Sequence, residues 1–191
     1  MTKNLALILA ALALLVVAGC TAPQTVSQND IDALAFEIAN LGPGVDPGEA
    51  KRAARIAYTY PLQLAKEYEI TDPPLMHNYK VNNGFRKRGL CLHWAEDLET
   101  RLNQENFRTL VMHRAIADPN AIYRIDHSSM IISRRGDTLY DGIVLDPWRY
   151  AGVLRWSKTR EDTNYNWRPR LDVLSDKYQK REATRKRAIN Q

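Results

Sequence analysis

The sequence predicts an α+β domain in which helices come first and an antiparallel sheet follows, with one central helix packed on that sheet. In the first half of the chain, apolar residues recur at helical spacing, as at Ile31, Leu34, Ile38 and Leu41. In the second half, short apolar runs are separated by turn sequences such as Arg-Arg-Gly-Asp at 134–137, which is typical of hairpins. Helices and strands that occupy separate parts of a chain are typical of the α+β class.

Composition divides the chain into four segments. Residues 1–20 combine a basic start, an apolar run and the ending Val-Ala-Gly-Cys, which is the pattern of a secretory signal. Residues 21–29 are polar and predict a flexible tether. Residues 30–170 are the predicted domain, which is long enough for one core. Residues 171–191 are predicted as a basic C-terminal helix or tail.

The end of the signal segment resembles a bacterial lipoprotein signal, in which the cysteine, here Cys20, is acylated after cleavage. An ordinary signal peptide and an uncleaved N-terminal anchor are the alternatives. Thr21, rather than Asp, follows the cysteine. By resemblance to enteric lipoproteins, this implies an outer-membrane protein that carries palmitate and faces the periplasm. Nucleic acid is not an expected partner of such a protein.

Positive charge is concentrated at the C-terminal end. The chain has a net charge of +5, and six basic residues between positions 177 and 187 face only Glu182. Such a segment suits contact with anionic lipid headgroups or cell-wall polymers, or it is a solvated helix end. The sequence leaves both possibilities open.

The remaining patterns predict the elements in order. Helices are expected over 30–41, over 46–58 with an Asp-Pro-Gly-Glu start, over 61–68 after a kink or restart at Pro61, and over 91–103. Segments 70–75 and 76–89 are expected to be a loop and a polar connection. Strands are expected over 107–116, within 121–133, over 138–145 and within 148–156, and a last helix over 171–187. Pro147 is expected to end regular pairing.

A cysteine lies in the first turn of the predicted central helix. Cys91 shares the apolar face of that helix with Trp94 and Leu98. The positive helix N-terminus and the basic residues at 86–88 favour a thiolate. Apart from Cys20 it is the only cysteine, so it is either a reactive thiol or a small buried apolar residue. Its surroundings favour a nucleophile.

Two residues on predicted strands are candidates to work with this thiol. A cysteine nucleophile needs an imidazole that takes its proton, and the imidazole needs an acceptor that orients it. His127 enters one predicted strand and Asp146 ends the next, so their side chains can face the same way. Asp126 is less suitable as the acceptor, because neighbours on a strand point to opposite faces.

Three motifs in this order resemble one family. Segment 89–95 (Gly-Leu-Cys-Leu-His-Trp-Ala) is similar to the Gly-x-Cys-x-x-aromatic-Ala signature of transglutaminase-like, papain-fold cysteine peptidases. Segments 126–130 (Asp-His-Ser-Ser-Met) and 144–148 (Val-Leu-Asp-Pro-Trp) resemble the family's later His and Asp elements. The resemblance covers roughly residues 84–148 and implies a papain/transglutaminase-like fold. It also implies that Cys91 is the nucleophile, His127 the general base and Asp146 its orienter.

Two features differ from the family pattern. Ser129 stands where family members commonly carry an aromatic residue. The segment leading to Cys91 also contains no glutamine to serve as the oxyanion donor. Asn82, Asn83 or the backbone N–H of Cys91 are the candidates for that role.

The resemblance implies a membrane-anchored thiol enzyme that cleaves or transfers peptide or isopeptide bonds through a thioester, without a cofactor. Its substrate would be a peptide, a protein or peptidoglycan. The alternative is a catalytically inactive module of the same fold that binds peptide or cell-wall material. A zinc site built on Cys91, His93, His113 and His127 is a further alternative, although Cys-x-His is not a usual zinc spacing. Finally, Trp94 and Trp148 either line a substrate groove or belong to the core.

Overall fold

The computed structural model describes residues 26–117 and 126–189. The predicted signal segment with Cys20, residues 21–25 of the tether, residues 121–125 of the second predicted strand and the last two residues lie outside the described residues. Within the described ranges the fold is α+β, as predicted, with five α-helices and a five-stranded antiparallel sheet. None of the helices in these ranges is long and apolar enough to cross a membrane.

The element order places four helices before the sheet and one after it. The helices are α1 (Gln28–Ala39), α2 (Pro47–Glu67), α3 (Pro74–Asn82), α4 (Cys91–Asn103) and α5 (Arg170–Ile189). The strands are β1 (Leu110–Ala117), β2 (His127–Arg134), β3 (Ile143–Tyr150), β4 (Val153–Lys158) and β5 (Trp167–Pro169). The strand order is β4-β3-β2-β1-β5, so β1 to β4 form a meander and β5 pairs with the other edge of β1.

Side-chain caps determine where the first two helices begin. Ser27 caps α1 and accepts the Asp30 N–H, so this helix begins inside the segment predicted as tether. Asp46 caps α2 as predicted, and its carboxylate accepts the Glu49 N–H at 2.8 Å. Pro61 lies within α2, which continues to Glu67, so the predicted restart at Pro61 is wrong. A proline removes one helical hydrogen bond, but the buried face of this helix continues through Pro61 and offsets that loss.

Helix α3 corrects the predicted loop and connection before Gly89. Pro74 takes the first helical position, where the missing N–H of a proline costs nothing. The buried residues of α3 are His77 and Asn78. Because both are polar, the helix has no apolar periodicity from which it could have been predicted.

The sheet differs from prediction mainly in the approach to β3. Leu139–Asp141 is a short 3₁₀ helix, so the strand returns at Ile143 instead of 138. Pro147 breaks the regular pairing, as predicted, but does not end it: the β3–β4 register runs to Asp146↔Arg155, shifts, and resumes at Tyr150↔Val153. The short strand β5 was not predicted.

The sheet is buried on both faces. Helices α2 and α4 cover one face, with α1 packed on α2. On this face Leu98 and Leu102 of α4 belong to the same core cluster as Met130 and Ile132 of β2. On the other face, Ile131 packs in a second cluster of residues, which also contains Ala115, Ala117, Leu139, Val144 and Trp167. Helix α4 lies over β2, and the Cys91 thiol at its start lies beside the start of that strand.

Candidate active site

Cys91 is the first residue of α4 and is 8% exposed. The turn before it requires Gly89, which has φ +121° and on which an added Cβ would lie 2.3 Å from His77 Nε2. His93 stabilises the same turn, because its Nδ1 accepts the N–H groups of Gly89 at 3.1 Å and of Leu90 at 3.2 Å. Burial lowers the pKa of His93, which keeps this nitrogen available as an acceptor. Gly89 and His93 therefore hold the backbone that presents the thiol.

His127 and Asp146 meet on neighbouring strands. The last pair in the β2–β3 register is Met130↔Leu145, so Asp146 lies one step further along and diagonally across from His127. His127 Nε2 lies 2.5 Å from Asp146 Oδ2, and the two side chains are 0% and 1% exposed. The Asp146 carboxylate therefore fixes the orientation of the His127 imidazole.

The other imidazole nitrogen of His127, Nδ1, is available to the thiol. It makes no hydrogen bond of normal geometry with any described residue. Burial lowers the pKa of His127, but the Asp146 carboxylate and the Cys91 thiol raise it more, to about 9. The raised pKa favours the imidazolium form of His127, which can donate hydrogen bonds through both ring nitrogens. The structure brings together all three residues that the sequence singled out.

Asp126 has a different environment from Asp146. Its carboxylate pairs with Lys177 of α5, while its backbone carbonyl lies 3.9 Å from the Cys91 sulfur. It does not orient His127. Ser129 is buried and its hydroxyl donates to the carbonyl of Leu145 at 2.9 Å, a contact that joins β2 to β3.

The structure does not bring the two predicted oxyanion donors into the site. Asn82 and Asn83 are exposed at the end of α3, and the Asn83 amide donates to Tyr79 O of its own helix. Asn78, which was not singled out, is buried in α3 and accepts the Trp148 indole N–H at 3.2 Å.

The tryptophans proposed for a groove are buried. Trp94 is 1% exposed, donates to Gly89 O at 2.9 Å and packs edge-on against Tyr68. Trp148 is 7% exposed, and its ring centroid lies 4.7 Å from that of His127. Both belong to one buried cluster with Cys91, so they pack around the thiol instead of lining an open surface.

The histidines proposed as zinc ligands have other partners. His93 caps α4, as described above, and His113 Nε2 lies 2.8 Å from the hydroxyl of Ser133. Among residues 26–117 and 126–189, no group of three or more His, Cys, Asp or Glu side chains is arranged to hold a metal ion.

The sequence did not predict the role of Arg149, a partly buried arginine whose side chain is 12% exposed and which joins the site to the segment before β5. Arg149 Nε donates to Asp146 Oδ2 at 2.6 Å, the same oxygen that His127 contacts. Its two terminal nitrogens contact the Asp162 carboxylate, which also accepts the Trp167 indole N–H at 2.9 Å. The local sequence contains no signal for this contact, because Asp146 and Arg149 are three residues apart in β3, and in a regular strand such residues face opposite ways.

Three aromatic rings surround the imidazole. The ring centroids of Trp148, Tyr165 and Trp167 lie 4.7, 4.6 and 5.4 Å from that of His127. Tyr165 also stacks against the Arg149 guanidinium, 4.5 Å from its ring centroid. These rings exclude water from the charged groups, which strengthens the interactions between them.

No protein-family model matches this chain, and no curated protein or solved structure matches it either. Roles for these residues are therefore inferred from their geometry and chemistry.

Proposed function

We propose that this chain is a thiol enzyme of transglutaminase-like, papain-fold type that cleaves or transfers amide bonds. The observation that carries the proposal is the contact of His127 with Asp146 at 2.5 Å, beside a cysteine at the first position of a helix. A nucleophilic cysteine needs these three parts: a helix start, an imidazole and an acceptor that orients it. A thiol that serves only for packing needs no buried ionic partners.

The reaction follows from these positions. The Cys91 thiolate attacks the carbonyl carbon of an amide and forms a C–S bond. The His127 imidazolium then gives its proton to the amine nitrogen, the C–N bond breaks and a thioester remains. Water attacks the thioester and gives a proton to His127 as the C–S bond breaks, which releases a carboxylic acid. If an amine attacks in place of water, the acyl group is transferred.

Backbone N–H groups at the start of α4 are the best candidates to stabilise the oxyanion. The first N–H groups of a helix have no partner within the helix, and one of them, the N–H of Cys91, belongs to the same residue as the sulfur. This arrangement removes the need for Asn82 or Asn83.

The resemblance of residues 1–20 to a lipoprotein signal supports a location of the proposed enzyme at the bacterial cell envelope. Acylation at Cys20 would anchor the domain to the outer membrane, facing the periplasm, through the polar segment after that cysteine. The substrate classes within reach there are peptide, protein and peptidoglycan.

Alkylation of Cys91 tests the proposal. The full-length chain in mild detergent is treated with iodoacetamide at pH 6, and site-resolved mass spectrometry separates Cys91 from Cys20. We expect Cys91 to react at least about tenfold faster than free cysteine, because a neighbouring imidazolium stabilises a thiolate. A rate equal to that of free cysteine would contradict the proposal.

Two histidine variants provide the control. His127→Gln should remove the enhanced alkylation at pH 6, whereas His113→Gln, a histidine on β1 that contacts Ser133, should keep it. Hydrolysis of quenched fluorescent casein and incorporation of dansylcadaverine into casein then distinguish cleavage from transfer, with Cys91→Ser as the blank.

A binding module without catalysis is the second candidate function. The observation that favours it is burial, because Cys91 is 8% exposed and His127 and Asp146 are almost fully buried. Such a module would bind peptide or cell-wall material equally well after Cys91→Ser. If sedimentation with purified peptidoglycan is unchanged in that variant and casein is not processed, this candidate replaces the enzyme.

A further inference from the structure

The Asp146 carboxylate is shared between two cations. His127 Nε2 and Arg149 Nε lie 2.5 and 2.6 Å from the same oxygen, Oδ2, while the other oxygen has no hydrogen-bond partner among the described residues. Arg149 and His127 therefore compete for one acceptor. An arginine that only neutralised the carboxylate would be expected to bind both of its oxygens, since that is the preferred geometry of the pair.

Asp162 holds Arg149 in this position. Both oxygens of Asp162 contact the terminal nitrogens of Arg149, and its side chain is 2% exposed. Trp167 Nε1 and the backbone N–H of Asn164 donate to the same carboxylate at 2.9 and 3.2 Å. The Asp162 carboxylate therefore cannot rotate away from Arg149 without breaking four contacts.

The charges of this pair are maintained despite burial. Burial lowers the pKa of Arg149, but Asp162 and Asp146 raise it more, so the net change is upward. Burial raises the pKa of Asp162, but Arg149 and Trp167 lower it more, so the net change is downward. Two buried carboxylates and one guanidinium leave one negative charge, which the His127 imidazolium balances.

We propose that Arg149 and Asp162 are positioning residues of the site, an ion pair that limits how strongly Asp146 attracts the His127 proton. This inference rests on the proposed function, because such a limit matters only if His127 must give its proton away. An imidazole held by an unshared buried carboxylate would keep its proton and protonate a leaving amine poorly.

The elements packed against His127 contribute several groups to this balance, while Ala117 of β1 and Trp167 of β5 are uncharged. Those that carry or can acquire charge are Cys91 of α4, Asp146 and Arg149 of β3, and Asp162 and Tyr165 of the segment before β5. The Asp126–Lys177 pair lies beside the backbone of His127 and is half exposed, so water screens its charges.

The two members of the pair should act in opposite directions. Arg149→Gln removes the competitor for Oδ2, so we expect the pKa of His127 to rise by about one unit. Asp162→Asn removes the charge that balances Arg149, so the guanidinium acts fully on Asp146 and the pKa of His127 should fall by about one unit. A pair that served only to hold the fold together would loosen the site in both variants and move His127 the same way.

The experiment is an NMR titration of the His127 ring in the full-length chain, labelled with ¹³C-histidine in detergent. His127→Gln assigns the signal, and Arg160→Gln, which breaks the exposed Arg160–Asp141 pair nearby, is the matched control with no expected shift. If Arg149→Gln does not fold, Arg149→Lys replaces it. A smaller upward shift is then expected, because an ammonium group cannot contact both carboxylates.

Opposite shifts for Arg149→Gln and Asp162→Asn support the inference, and shifts of the same sign or no shifts overturn it. The titration needs no substrate, so its outcome is independent of the proposed function. If Cys91 is inert while the shifts are opposite, the proposed enzyme fails and the ion pair remains. If Cys91 is reactive while the pKa of His127 is unchanged in both variants, the inference about the ion pair fails and the proposed enzyme stands.

Discussion

Glu49 and Asp146 are two buried carboxylates of one domain, 5% and 1% exposed, with different kinds of partner. Glu49 accepts from the N–H groups of Arg108 and Thr109 at 2.7 and 2.8 Å, and from the Thr109 hydroxyl at 2.5 Å. These donors do not titrate. Glu49 therefore connects the start of α2 to the segment just before β1, and its contacts indicate no other role.

Asp146 has side-chain partners that carry charge. It accepts hydrogen bonds from the imidazole of His127 and the guanidinium of Arg149. Because the energy of such a contact changes with protonation, the contacts of Asp146 depend on the protonation state of His127, whereas Glu49 links two segments of backbone. Burial alone therefore does not distinguish the two carboxylates, but the type of partner does.

Replacing Asp146 or Glu49 by its amide should have its most different effects on the rate at which Cys91 is alkylated. Asp146→Asn removes the negative charge that keeps His127 protonated, so we expect Cys91 to react with iodoacetamide at pH 6 about a hundredfold more slowly. Glu49→Gln is the matched control, and its folded fraction should react at the wild-type rate. If Cys91 alkylation slowed equally in Asp146→Asn and Glu49→Gln, the proposed difference between the two carboxylates would be contradicted.

The pH dependence of stability should show the next largest effect. The pKa of His127 is about 9 in the folded chain, against 6.5 for an ordinary histidine. Because its pKa is raised in the folded chain, His127 stabilises the fold fully at pH values below 6.5, and this stabilisation is lost as the pH rises through 9. Urea unfolding at pH 6, 7.5 and 9.5 should show a loss of up to about 3 kcal/mol that is absent in His127→Gln. The same loss in both proteins would contradict this assignment.

Glu49→Gln should have the smallest effect, on the acidic side. Burial raises the pKa of Glu49, but the Thr109 hydroxyl and the backbone N–H groups lower it more, so its stabilisation is present above the ordinary value of 4.5. We expect the variant to unfold about 2 kcal/mol more easily at pH 7. The deficit should shrink as pH falls through the lowered pKa, because the wild-type carboxylate is then protonated too. A deficit that stays constant to pH 3 would assign the loss to packing.

Much of the fold could be predicted because its signals are local. The α2 start at Asp46, the extent of α4 and the pairing break at Pro147 each follow from residues within a few positions of the event. Helix α3 could not be predicted, because its buried residues His77 and Asn78 are polar, and β5 is too short to show a period. Pro61 looked like a break, but the continuous buried face of α2 outweighs one lost hydrogen bond.

By itself, the sequence determined which side chains have the chemistry: a thiol at a helix start, one histidine and one aspartate on successive strands. Tertiary structure decided that Asp146 is shared with Arg149 and that Asp162 holds this arginine. In a regular strand, residues three apart face opposite ways. The register shift after Asp146 breaks that rule, and the shift depends on how β3 pairs with β4. A contact that depends on pairing between strands is not encoded in the local pattern of either strand.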